Sequence, residues 1–172
     1  GSLHERDNNF LCAVYFTGKR AGLAFCDVTT GELYVTALED AARDLRSVLS
    51  ARRPSEILTN APDRLQGWND AYLQAYPQSA FSLGGARERL LRHFEVGTLE
   101  ALGLDSGMQP AASAAGALLH YLIDTQMTDL KHIATLKVQA AGDAMPLDMN
   151  TRRNLELTQG LRSQNAWGSL LW

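Results

Sequence analysis

The sequence predicts an α/β fold, a mixed five-stranded sheet flanked by helices with a short helical C-terminal extension. Three observations carry that expectation. Residues 10–37 consist of three apolar, strand-like runs separated by turn residues, the pattern of an antiparallel meander. From Asp40 onward, helical spacing of apolar residues alternates with short strand-like runs, as in chains that build helices onto a sheet. Residues 109–126 then form one long helical stretch whose first half is almost entirely small.

Taken in order, Phe10 to Phe16 is apolar at every position, which suits a strand buried on both faces in the middle of a sheet. Arg20 to Asp27 pairs back onto it through a turn at Gly18-Lys19, with Gly where positive φ is needed. The third strand alternates, Leu33, Val35 and Ala37 against Glu32, Tyr34 and Thr36, and reads as a half-exposed edge. Ala41, Leu45, Val48, Leu49 and Arg52 give a first helix between Asp40 and Pro54. Ser55 to Thr59 is a short strand, parallel to a neighbour after the crossover. Ala61-Pro62-Asp63 opens a second helix that buries Leu65, Trp68 and Tyr72. A brief strand at Ala80 to Ser82 follows, then a third helix after Gly84-Gly85 with Leu90, Leu91 and Phe94 inward. The longest helix opens at Gln109-Pro110, and its small half, Pro110 to Ala117, is a surface for close packing. Three antiparallel strands followed by this alternation is the order of the ribonuclease H-like fold, with the first strand central and the third at the edge.

Composition excludes several functions. The chain is 45% apolar and 20% charged, without a low-complexity run, and no apolar stretch approaches the ~18 residues of a membrane span. Its net charge of −3 lacks the basic surplus of proteins that bind nucleic acid through phosphates. Cys12 and Cys26 fall on opposite faces of the first hairpin in the expected register, so they are core residues of a protein in a reducing cytoplasm rather than a disulfide. Ribonuclease H-type nucleases gather carboxylates around two metal ions, one of them from the first strand, and that strand holds no acid here. Asp27, Asp40, Asp44 and Glu56 are scattered, and His4, His93, His120 and His132 have no partner at catalytic spacing. Arg87, Glu88, Arg89, Arg92 and His93 make a charged, mostly basic helix face, solvated or used for docking.

Periodicity is lost near Lys137 to Gly142, which reads as a linker, and a new helix opens around Asn150. Several blocks resemble, in order and spacing, the MutS family of bacterial DNA mismatch repair proteins. They are Asp7 to Leu11 with the meander, Gly22 to Glu32, Arg53 to Leu58, Ala114 to Gln126, and Leu147 to Leu157. The resemblance implies a tag remnant and linker at 1–7, a connector domain of ribonuclease H-like fold at 8–144, and the start of a core and lever domain at 145–172. It implies a non-catalytic role: joining mismatch recognition to the ATPase and lever domains, and offering a docking surface to MutL. Asp124 is the first candidate for that surface, ahead of Leu118, Leu119, Glu88 and Arg89. An acid beside a helix C-terminus opposes the dipole, at a cost of up to about 1 kcal/mol, so it invites an explanation other than helix stability. No cofactor is implied for this stretch, since ATP and Mg²⁺, mismatched DNA and homodimerisation belong to the full-length family. The alternative is a metal-dependent nuclease on the same fold.

Overall fold

A computed structural model of the chain describes residues 10–126 and 130–142. Strand β1 (Phe10–Thr17) pairs antiparallel with β2 (Arg20–Asp27), in a register that sets Thr17 opposite Arg20. Gly18 in the intervening turn has φ 60°, the left-handed conformation that the hairpin requires. Strand β3 (Glu32–Leu38) continues the meander on β2. Helix α1 (Ala41–Arg52) begins at Asp40, whose Oδ1 accepts from the Arg43 amide at 3.2 Å, and closes on Arg53 in the left-handed region, just before Pro54. It carries the chain over to β4 (Glu56–Thr59), which runs parallel to β1 as the crossover demands.

Beyond β4 the expectations from spacing need correction. The second helix is only a four-residue 3₁₀ turn, Pro62–Leu65, and the chain then enters a strand, β5 (Tyr72–Ala75), parallel to β4. Leu65 is buried as expected, but Tyr72 is 66% exposed, because its backbone serves the ladder and its ring points away from the core. Ala80 and its neighbours are not a strand. They form the 3₁₀ turn Gln78–Phe81, which drives Phe81 into the core against Tyr15, with ring centroids 5.3 Å apart. The stretch read as a linker contains β6 (Leu136–Val138), parallel to β3. Among the described residues the sheet therefore has six strands rather than five, in the order β5-β4-β1-β2-β3-β6. β1 is interior as predicted, whereas β3 is covered by β6 and is not the edge.

Two layers flank the sheet. On one face lie α2 (Leu83–Phe94), capped by Ser82, and α3 (Gln109–Gln126), packed with Ala13, Ala24, Leu33, Val35 and Leu58. On the other, α1 covers Cys12, Val14, Phe16, Leu23 and Phe25. The two cysteines consequently occupy different cores, Cys26 under α3 and Cys12 under α1, as their register predicted.

The small half of α3 is a packing seam. Ala111, Ala112, Ala114, Ala115 and Ala117 are fully buried and Ser113 nearly so. A Cβ at Gly116 would meet the Ala86 Cβ of α2 at 2.3 Å, and one at Gly22 of β2 would meet the Pro110 backbone at 2.0 Å. Glycine at these two positions lets helix approach helix and helix approach sheet (a close contact of the kind for which the residue type is used). The expected extension at 145–172, including its helix near Asn150, lies outside the described residues, as does the stretch at 1–7 read as a tag remnant and linker.

Candidate functional site

The acids weighed as metal ligands each serve the backbone or a neighbouring side chain. Asp27 Oδ1 accepts from the Thr29 and Thr30 amides, forming the β2–β3 turn. Asp40 caps α1, and Asp44, buried at its side chain, accepts two hydrogen bonds from Arg43 at 3.0 and 2.9 Å. Glu56 accepts from the Tyr121 hydroxyl at 2.6 Å. Among the described residues, no group of three or more His, Cys, Asp or Glu side chains is arranged to hold a metal ion.

The three histidines among the described residues are tied to the backbone or to an acid. His93 Nε2 lies 2.7 Å from the Ile133 carbonyl and His132 Nε2 lies 2.9 Å from that of Val28, so the segment after α3 is fastened to α2 and to the β2–β3 turn. His120 Nε2 lies 3.4 Å from Asp124 Oδ2, one helical turn further along α3.

The five residues proposed for docking separate into two groups. Leu118 and Leu119 are fully buried in the core beneath α3, so they shape the helix's inner face and present nothing to a partner. Leu122 belongs to the same core cluster, one turn further along the helix from them. Arg89, half-buried, donates from Nη1 to the Gly116 carbonyl at 3.0 Å and so locks α2 to α3, while Glu88 is exposed. Asp124 is open, with its side chain 62% exposed, and Ile123 beside it is 43% exposed.

Spacing along the chain does not reveal what surrounds Asp124. Tyr76 packs edge-on against Tyr121 at 5.8 Å and Phe81 at 6.1 Å, and tilts against His120 at 6.4 Å. Burial pushes the Tyr76 phenol above its usual range, the charge of Asp124 adds to this and that of Arg89 opposes it. The charges of the α3 acid and the α2 arginine thus both reach Tyr76. The aromatic residue follows β5, the strand that its sequence disguised as a helix, so no periodicity marked it.

This arrangement has the chemistry of a contact surface: an open carboxylate and an exposed aliphatic side chain in the last turn of α3, near a group of aromatic rings. A family model described as MutS domain II matches residues 9–134. The chain belongs to the MutS family. The DNA mismatch repair protein MutS of Microcystis aeruginosa is 39% identical over an alignment that covers 100% of this chain and 21% of that protein. Those of Ruminiclostridium cellulolyticum and Nostoc punctiforme are 36% and 39% identical, with 99% and 100% of this chain covered and 20% and 21% of theirs. The chain therefore spans about a fifth of the length of the curated relatives it matches. Domain II of MutS is the connector domain, and among the described residues it takes the form of a six-stranded sheet with three α-helices. Strand β6, at Leu136–Val138, lies past the matched region yet completes the same sheet. No helix among the described residues is long and apolar enough to cross a membrane.

Proposed function

We propose that this MutS domain II is a mechanical connector without catalysis of its own, linking mismatch recognition to the ATPase and lever domains and docking MutL at the end of α3. The observation that carries the docking reading is Asp124, an exposed carboxylate at the end of the longest helix, beside exposed Ile123. Its pairing with His120 gives it little reason to be there for stability. Exposed ion pairs contribute about 0 to 1 kcal/mol, and the acid opposes the helix dipole. Glu88 and Arg89 on α2 are the weaker candidates for the same surface, and Arg89 supports it as the bracket between the two helices, through its bond to the Gly116 carbonyl. A connector of this kind works through rigidity, and the seam between α2 and α3 supplies it.

The test is a calorimetric titration of the chain with the N-terminal domain of MutL, comparing wild type with Asp124→Arg. Reversing a charge buried at the contact weakens binding by roughly 1 to several kcal/mol, whereas a rim charge changes it little. Loss of affinity with an unchanged circular dichroism spectrum is the expected result. Equal affinity of the two proteins would remove Asp124 from the surface.

A further inference from the structure

A separate cleft of about 320 Å³ opens where the ends of β1 and β4 meet the last turn of α3. Its apolar walls are Leu11 and Val28, and its polar groups are Thr29, Ser55, Glu56, Tyr121 and Thr125. What distinguishes it is where the hydroxyl protons go. Tyr121 donates its proton to Glu56 Oε2, Ser55 donates to the Phe10 carbonyl at 3.3 Å, and Thr125 donates to the Tyr121 carbonyl at 2.8 Å. A hydroxyl has one proton and two lone pairs, so with their protons engaged these three groups offer a ligand lone pairs. The Glu56 carboxylate is an acceptor too, and it forms no ion pair among the described residues. The C-terminal turn of α3 adds the negative end of its dipole. Among the described residues, no lysine or arginine lines the cleft.

A site with one carboxylate outside any ion pair, and three hydroxyls whose protons are already engaged, favours a ligand that is rich in donors and positively charged. A divalent metal ion would need more charged oxygens than one side chain supplies. A guanidinium meets the requirement: five N–H donors, no acceptor, a plane that can lie against apolar walls, and a weaker hydration shell than an ammonium. We infer that this cleft receives an arginine side chain presented by a partner protein, with Glu56 as its counter-ion. The inference stands apart from the docking role of Asp124, which does not line the cleft.

The experiment follows amide chemical shifts of the isotopically labelled 172-residue chain during titration with N-acetyl-arginine amide or its neutral isostere, N-acetyl-citrulline amide. Arginine amide should give saturating shifts at Ser55, Glu56, Tyr121 and Thr125 in the millimolar range, and the citrulline probe at least tenfold weaker ones. Glu56→Gln retains an oxygen to accept from Tyr121 while removing the charge, and should weaken arginine binding about tenfold. Asp124→Asn should alter it less than about twofold. Absence of saturation with the arginine probe, equal response to citrulline, or undiminished binding by a folded Glu56→Gln variant would each overturn the assignment.

Discussion

Tyr121 is where a single side chain ties the fold to solution conditions. Burial, and then the Glu56 carboxylate that accepts its proton, push its phenol up to about 12. An unfolded tyrosine titrates near 10, so the native state holds this proton more firmly. The resulting stabilisation is complete below about pH 10 and is lost as pH rises through about 12. Urea midpoints measured from pH 9 upward should therefore fall, and Tyr121→Phe should make the fall shallower, leaving the part due to Tyr34 and Tyr76, whose phenols are also raised. An identical slope in the variant would mean that the phenol is not held by Glu56. The cysteines give a second test at this scale. Burial raises the Cys12 thiol, and burial with the charge of Asp27 pushes Cys26 up to about 12, so neither supplies thiolate near neutrality. A thiol reagent at pH 8 should label almost nothing in the native protein and both cysteines in denaturant; rapid native labelling would show that one core opens readily.

Helix α3 is the element on which the others are assembled, and its small half is the part a substitution tests best. In an ordinary helix interior, Gly→Ala stabilises by roughly 1 kcal/mol. At Gly116 the added methyl would meet Ala86 at 2.3 Å, and overpacking typically costs about 1 to 3 kcal/mol, so the sign should reverse. Ala115→Leu places more atoms in the same seam and should lower the urea midpoint by a similar or larger amount. A Gly116→Ala protein more stable than wild type would mean that α2 yields easily, and a docking surface built on the pair would then not be rigid. The small stretch Pro110–Ala117 announced this seam in the sequence, because a run without bulky side chains has few uses other than close approach. The arginine clasp from Arg89 to the Gly116 carbonyl was hidden, since side chain to backbone contacts across helices leave no periodic trace.

At the scale of the whole molecule, the absence of an acid from β1 and the engagement of Asp27, Asp40, Asp44 and Glu56 in turns, caps and side-chain pairs argue against a nuclease. Incubation with Mg²⁺ or Mn²⁺ and duplex or hybrid substrate should give no cleavage. Cleavage abolished by Asp27→Asn would instead restore the nuclease reading. With a net charge of −3, the chain should also leave the anisotropy of a labelled mismatched duplex flat at ~150 mM salt until the range of non-specific affinities, roughly 10⁻⁴ to 10⁻⁶ M. Submicromolar, mismatch-selective binding would show that the surface carries a nucleic-acid site its overall charge conceals.

The sequence by itself determined the meander, helix α1, the parallel return of β4, helix α2 and the long helix α3, because each has a period or a turn signal contained within its own residues. Phe10 to Phe16 could only be an interior strand, and the thiols of Cys12 and Cys26 were separated by register alone. The tertiary structure alone decided the sheet's two margins. Tyr72–Ala75 and Leu136–Val138 are four- and three-residue strands whose stability comes from ladders with β4 and β3, partners distant in the chain, so nothing local distinguishes them from helix or linker. The same holds for the sites. Asp124 was legible as an acid against a dipole, but the burial of Leu118 and Leu119 and the meeting of Glu56 with Tyr121, across 65 positions, depend on how α3 lies over the sheet. A helix's outer and inner faces are chosen by what packs against it, and that choice is made only when the whole chain has folded.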